Sequence, residues 1–321
     1  MKKAVWVIAA VAVIAVIYSF NISSPKLMPH IDVQTQRAIE QGDIIGFSRG
    51  KSHAWRGIPY AAAPLADLRW KAPRPAPKWS ELKSTLAPSP ACPQIGGELG
   101  GVERSQFNQL IGQEDCLFLD VWAPEFAADK VPSGDQRLPV MVWIHGGGNS
   151  VGHGSGYTGA KLSAEHDVIV VSINYRLGIL GWFSHPSMRQ DNTFPLDDSA
   201  NFGMLDIVAA LQWVQQNIGQ FGGDPKNVTI FGESAGGHNV FSLLASPLAE
   251  GLFHRAISQS GRAAGMSVEL AEAPLGEDGS GHPFSSHSLL ARWTEQTAKQ
   301  SIMDADPKAQ AAWLRSLNIE T

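Results

Sequence analysis

Asn227-Val-Thr-Ile-Phe-Gly-Glu-Ser-Ala-Gly-Gly237 sets a short β-branched run against a serine flanked by glycines, an order that predicts a strand turning sharply into a helix with Ser234 on the turn. A serine hydroxyl is a weak nucleophile, and such a turn helps it in two ways. It lifts Oγ beyond the sheet, with Gly232 and Gly236 leaving room for close backbone approach. It also puts a helix start behind the serine, with a free backbone N–H and a partial positive charge. Because a chain with 32 glycines can produce Gly-x-Ser-x-Gly by chance, the surrounding pattern has to carry the reading.

Outward from this turn, short Val- and Ile-rich runs alternate with helical patterns, the signature of an α/β sheet made largely of parallel strands. The candidate strands are Leu117–Trp122, Val140–Ile144, Val168–Asn174, Val228–Phe231 and Ala256–Ser260. Leu205, Val208, Leu211 and Ile218 recur at helical spacing, which predicts a crossover helix over Phe202–Ile218. The turn itself opens a helix over Ala235–Leu244. Gly265–Ser288, rich in Gly, Pro, Ser and acidic residues, reads as a surface excursion, and two helices follow it. In the last, Asp306 caps the N-terminus, Pro307 takes the first helical position, and Trp313 and Leu317 share a face.

Trp143-Ile-His-Gly-Gly-Gly148 follows a predicted strand. Acyl transfer needs N–H donors aimed at the oxygen that becomes negative, and glycines let backbone approach that closely. The candidate oxyanion hole is therefore the backbone N–H groups of Gly147, Gly148 and Ala235. Gly154-Ser-Gly-Tyr-Thr-Gly159 matches a dinucleotide fingerprint as a pattern only. It follows a loop and runs into a strand within a few residues, leaving no room for the helix that would hold a pyrophosphate.

With 321 residues, 44% hydrophobic and 17% charged, the chain has the composition of one large globular domain, placed at 30–321. The formal charge of −5, with mixed signs and no basic stripe, argues against nucleic acid as a partner. The first residues differ in kind. Lys2 and Lys3 precede an uncharged apolar run, Ala4–Phe20, so residues 1–24 read as an export signal. Without a clean Ala-x-Ala cleavage site an uncleaved anchor is favoured, with the body outside the cytoplasm; cleavage would instead leave a periplasmic or secreted protein. Export to an oxidising compartment predicts a Cys92–Cys116 disulfide, against the alternative of two free thiols. Two distant cysteines make no paired-ligand motif, and neither a metal nor a cofactor is expected.

Gly57-Ile-Pro-Tyr-Ala61, Leu68-Arg-Trp70, Glu114-Asp-Cys-Leu-Phe-Leu119, His145-Gly-Gly-Gly148, Asn174-Tyr-Arg-Leu-Gly178, Asn201-Phe-Gly-Met-Leu-Asp206, Phe221-Gly-Gly-Asp-Pro225 and the Ser234 turn follow one another along the chain. On these motifs the chain resembles, from Val33 onward, the type B carboxylesterases, the cholinesterase-like branch of the α/β-hydrolases. It implies an α/β-hydrolase fold, a small-molecule ester substrate, Ser234 as nucleophile, and Gly147, Gly148 and Ala235 as the oxyanion hole. It also implies that Cys92 and Cys116 form the family's first disulfide. The ion pairs it implies, Arg69 with Glu114 and Arg176 with Asp206, are read as structural, and Glu233 as tuning the site beside the nucleophile. Asn149 and Ser150 stand where cholinesterases often carry aromatics, so an aromatic choline gorge is not implied.

In that family the acid and histidine of the triad follow the serine on later strands. Here Ala256–Ser260 resembles the next strand and helices come after it, so the last strands are read as missing and the C-terminus as truncated. His238, His254, His282 and His287 read as solvated or packed side chains, and neither triad acid nor triad histidine is identifiable. Two functions remain. One is a serine carboxylesterase working through an acyl-enzyme, inactive or impaired as this chain. The other is a non-catalytic cholinesterase-like binding module or pseudo-enzyme. A large exposed apolar surface is expected where later elements of the family fold would pack.

Overall fold

The computed structural model describes residues 29–100, 102–189, 194–276 and 280–319. Contacts divide the chain into Met1–His30 and Ile31–Thr321. The apolar run Ala4–Phe20 lies outside the described residues, among which no helix is long and apolar enough to cross a membrane.

Seven strands form the main sheet: β1 (Phe47–Arg49), β2 (Ser52–Pro59), β3 (Phe118–Pro124), β4 (Leu138–Ile144), β5 (Ile169–Ile173), β6 (Gly223–Glu233) and β7 (Arg255–Gln259). Their spatial order is β7-β6-β4-β5-β3-β2-β1. The parallel pairings are β7 with β6, β6 with β4 and β4 with β5, while β5 with β3, β3 with β2 and β2 with β1 run antiparallel. The expectation of a largely parallel sheet thus describes the half that carries Ser234. The other half returns through antiparallel neighbours, as open α/β sheets often do at one side. A further sheet joins Arg37–Ile39, Gly42–Ile45 and Lys83–Ser84, and a hairpin pairs Gln94–Ile95 with Leu110–Ile111.

Among the described residues the α-helices are α1 (Ala160–His166), α2 (Gly178–Gly181), α3 (Phe202–Asn217), α4 (Ala235–Ala245), α5 (Val268–Glu272), α6 (Ser286–Gln296) and α7 (Pro307–Ser316). Alternation along the strands divides the core between two faces. Ala54, Trp122 and Val170 pack with Ala160 and Leu162 of α1. Val121, Val142 and Val171 belong to the large cluster that Ile207 and Leu211 of α3 and Val240 and Leu243 of α4 complete. Every residue of β5 is buried, so it reads as a continuous apolar run rather than an alternating one. The predicted crossover helix ends one residue early, at Asn217, where the chain tightens into a 3₁₀ turn.

The excursion after β7 is more ordered than its composition predicts. Ser267 caps α5 by accepting the Leu270 N–H, and Glu272 accepts from both Ser184 and Arg189. The last helix has the predicted cap, with Asp306 accepting the Ala309 N–H at 3.0 Å and Pro307 in the first turn. Trp313 and Leu317 pack on a second cluster built from Trp70, Phe183, Phe202, Leu290 and Trp293. The edge strand β7 and the segments near it carry exposed apolar side chains, among them Ile257 at 45%, Met266 at 58% and Phe284 at 65%.

A buried ion pair, a part-buried one and a disulfide tie the loops to the sheet. Arg176 grips Asp206 with Nε and Nη2 at 2.8 and 2.7 Å, and its backbone N–H reaches the same carboxylate at 3.0 Å. Arg69 makes a two-point pair with Glu114. Arg56 with Asp120 is a third pair that the motifs did not suggest. Cys92 and Cys116, both buried, are joined across 24 residues. Replacing both cysteines by serine is expected to lower the unfolding free energy by about 3 kcal/mol, the loop-closure value for a span of this order. Urea denaturation with and without reductant measures it, and identical midpoints for the two proteins would remove the disulfide from the stabilising contacts.

Candidate functional site

Ser234 ends β6 and caps α4 with φ 55° and ψ −118°, a conformation that costs a non-glycine residue strain and persists only where neighbours hold it. Its N–H donates to the Gln259 carbonyl at 2.9 Å, and its own carbonyl accepts the His238 N–H at 3.0 Å, so the turn is gripped by β7 on one side and α4 on the other. No side chain caps α4. The Ala235 N–H, at the first helical position, has no acceptor among the described residues and remains available to an anion.

The loop after β4 lies directly against this turn. A Cβ added at Gly236 would stand 2.0 Å from the Ile144 carbonyl oxygen, and one added at Gly146 would stand 3.3 Å from Ser234 Cβ. Gly147 and Gly148 adopt φ of 95° and 64°, and their N–H groups likewise find no acceptor among the described residues. The structure therefore sets Gly146, the first glycine of the loop, against the Ser234 turn, with Gly147 and Gly148 following it in the same loop and Ala235 following the serine. Glu233 is exposed next to the serine.

The histidines divide sharply from these. His145 is buried and stacked on Tyr175 with ring centroids 4.4 Å apart, and burial holds its pKa down at about 4. Its Nδ1 lies 2.8 Å from the Gly146 carbonyl, which can only accept, so Nδ1 carries the proton and the ring is a neutral brace for the loop. His238 Nδ1 accepts the Arg262 N–H at 2.8 Å, His254 Nδ1 the Val228 N–H at 3.2 Å and His282 Nδ1 the Phe284 N–H at 3.1 Å. These rings serve the backbone. Buried His185 is engaged with Ser187, and His287 is exposed on α6. Among the described residues no histidine hydrogen-bonds the Ser234 hydroxyl.

Two cavities flank the loop. One, of about 770 Å³, is lined by Asn149, by His238, Asn239 and Ser242 of α4, by Met204 and Val208 of α3, and by Met266 and Phe284. The other, of about 290 Å³, is lined by Ser150, Ile95, Leu110, Trp293 and Leu317. Asn149 also exchanges amide hydrogen bonds with Asn239 and lies within reach of the Tyr175 hydroxyl. In the sequence Asn149 stands out only for not being aromatic, Tyr175 only as part of the motif Asn174–Gly178, and Asn239 not at all. Nothing in their spacing signals that the three meet. Gly154–Gly156 forms a single 3₁₀ turn before the seven-residue α1, too short a helix for the dinucleotide reading. Among the described residues no cluster of three or more His, Cys, Asp or Glu side chains could hold a metal ion.

A model of the Carboxylesterase family matches residues 33–305. Among curated relatives, "Para-nitrobenzyl esterase" of Bacillus subtilis (strain 168) is 45% identical over 247 residues, covering 76% of this chain and 46% of its own, and "Liver carboxylesterase 1" of Oryctolagus cuniculus is 50% identical over 210 residues, covering 64% and 35%. Among solved structures, a thermophilic PNB esterase superposes with a TM-score of 0.71 at 36% identity over 90% of this chain and 52% of its own. The EST55 carboxylesterase of Geobacillus stearothermophilus gives 0.65 at 32% over 89% and 51%. These solved relatives have the α/β-hydrolase fold. The chain thus spans about a third to a half of the length of the relatives it matches.

Burial holds the pKa of both His145 and His185 at about 4, below the value of about 6.5 that each regains on unfolding. Between those values the unfolded chain binds more protons, so stability rises with pH through the window and is lost on acidification. From pH 7 to pH 4.5 each ring is expected to contribute a loss on the order of 2 kcal/mol. Urea midpoints measured across that range for the parent and for His145→Gln check the sign, and a variant as acid-sensitive as the parent would remove His145 from the account.

Proposed function

The chain belongs to the carboxylesterase family, and on that premise we propose that it carries the nucleophile and oxyanion hole of a serine carboxylic ester hydrolase. The observation that carries the reading is the strained Ser234 turn lying against a glycine loop whose N–H groups, like that of Ala235, are free to receive an anion. Ser234 Oγ attacks the ester carbonyl carbon, and the carbonyl π electrons move onto oxygen. Gly147, Gly148 and Ala235 donate to that oxyanion, each such donor contributing about 3 to 4 kcal/mol to the transition state. Collapse expels the alcohol and leaves an acyl-Ser234 ester that water hydrolyses. Two cavities begin at the residues that follow the glycine loop, Asn149 and Ser150, and neither is lined by Ser234 itself.

The proton leaving Oγ needs a base, and no described histidine stands beside the hydroxyl. With neither a triad acid nor a triad histidine identified among the described residues, what remains is the residual catalysis of the oxyanion hole and binding. These 321 residues therefore acylate slowly and turn over weakly. The same observation supports the second reading, a binding module that uses the site without chemistry. Export, whether anchored through residues 1–24 or released, is supported by Lys2, Lys3 and Ala4–Phe20 and fits the closed Cys92–Cys116 pair.

Incubation with p-nitrophenyl butyrate, followed by mass spectrometry, tests this. A slow acyl adduct on Ser234, absent in Ser234→Ala, is the expected result. Rapid Ser234-dependent turnover would overturn the prediction of weak activity. No adduct, even with a fluorophosphonate, would overturn the nucleophile assignment and leave the binding module.

A further inference from the structure

The Gly146–Gly148 loop closes on itself through the Ser150 and Val151 N–H groups, which donate to the Gly147 carbonyl at 3.1 and 3.0 Å, but its glycines have no side chains with which to anchor that turn to its neighbours. Tyr175, fully buried, directs its hydroxyl at the carbonyl of His145 at 2.6 Å and at Oδ1 of Asn149 at 3.2 Å, the residues immediately before and after the triplet. Burial pushes its ionisation far above the ordinary tyrosine range, so it stays a donor. That hydroxyl has one proton, which the closer His145 carbonyl takes, so Asn149 Oδ1 at 3.2 Å is the weaker branch of a shared bond and the amide is oriented by its pairing with Asn239. Asn149 Nδ2 then donates to Asn239 Oδ1 at 3.3 Å, and Asn239 Nδ2 donates back to Asn149 Oδ1 at 2.9 Å. Asn239 is buried on α4, the helix that Ser234 opens. Asn149 itself has φ 55°, a left-handed conformation that asparagine tolerates better than most residues.

We infer that Asn149, Asn239 and Tyr175 are the positioning residues that hold the oxyanion loop in register with the Ser234 turn. This rests on the reading of Gly147 and Gly148 as oxyanion donors. The near end of the loop is referenced to α4 by close packing of Gly236 on Ile144, and the far end by the amide pair. A hole held at both ends keeps its donors aligned as charge develops, whereas a loop free at one end loses catalysis without losing affinity. Asn149 and Asn239 also line the larger cavity, so contact with substrate is the competing role.

Hydrogen exchange read by mass spectrometry on the full chain tests the inference without requiring turnover. In Asn149→Ala, Asn239→Ala and Tyr175→Phe, exchange across residues 144–152 is expected to rise about tenfold, as for loss of one buried hydrogen bond, while α7 is unchanged. The Asn149→Ala/Asn239→Ala double variant should be no worse than either single one, because both remove the same pair. Asn239→Asp, which keeps the shape and the acceptor but not the donor, should fall between parent and Asn239→Ala. Unchanged exchange in the loop, or additive effects, would overturn the inference. On p-nitrophenyl butyrate, kcat or the acylation rate should fall about tenfold or more with KM within about twofold; a raised KM with the rate retained would make these residues substrate contacts instead. If the parent itself shows no Ser234-dependent reaction, the proposed function fails and exchange alone decides the positioning role.

Discussion

A helix can begin against the carbonyl end of a neighbouring strand only if its first turn presents no side chain there. Gly236, whose missing Cβ would fall 2.0 Å from the Ile144 carbonyl, is where this chain meets that requirement. Everything distinctive about the site follows from it. Because α4 starts so close to β4, the loop leaving β4 has to run past the Ser234 turn, and its glycines come to lie beside the serine. The same approach forces Ser234 into its positive φ, since the chain must reverse from strand to helix within one residue. A methyl group at 236 would separate two elements that are useful only together.

The strain is held by a scaffold whose two halves work differently. The parallel half, β7-β6-β4-β5, delivers the ends of β4 and β6 side by side, and their register sets Gly232 opposite Ile144. The antiparallel half supplies bulk: Trp55 and Trp122 are fully buried there. Loops between the halves are pinned by charges taken out of water. Asp206 satisfies both the side chain and the backbone of Arg176, leaving the carboxylate with three donors. A pair of that kind adds little net stability over an apolar replacement, but losing one partner leaves an uncompensated buried charge. Such pairs hold the strand ends in one arrangement.

The polar groups around the loop extend this logic to the site. His145 braces one side by stacking on Tyr175, and its low pKa follows from the same burial that makes it a brace. It opens the His145–Gly148 motif, yet its Nδ1 proton is committed to the Gly146 carbonyl. His238, His254 and His282 are likewise spent on backbone N–H groups. Among the described residues the backbone N–H groups of Gly147, Gly148 and Ala235 stay without acceptors near the Ser234 turn, and no histidine hydrogen-bonds its hydroxyl.

Much of this was legible in the chain as written. The β-branched run and the glycines around Ser234 predict the elbow because only that composition can make the turn, and five candidate strands and the crossover helix lie within a few residues of where they form. The Arg69–Glu114 and Arg176–Asp206 pairs, implied by motif resemblance, are present. Two things were not legible. The sheet's antiparallel half depends on pairings between strands far apart in sequence, which local periodicity does not encode, and the excursion after β7 is ordered by Glu272 reaching back to Ser184 and Arg189 across the chain. The meeting of Asn149, Tyr175 and Asn239 is of the same kind: three residues on a loop, a strand end and a helix become one network only when β4, β5 and α4 are packed. Composition and spacing thus determined which residues have reactive or permissive chemistry, because those properties belong to single side chains and single φ angles. The tertiary structure alone decided which of them stand together, because a hydrogen bond needs its donor and acceptor within about 3 Å whatever their distance along the chain.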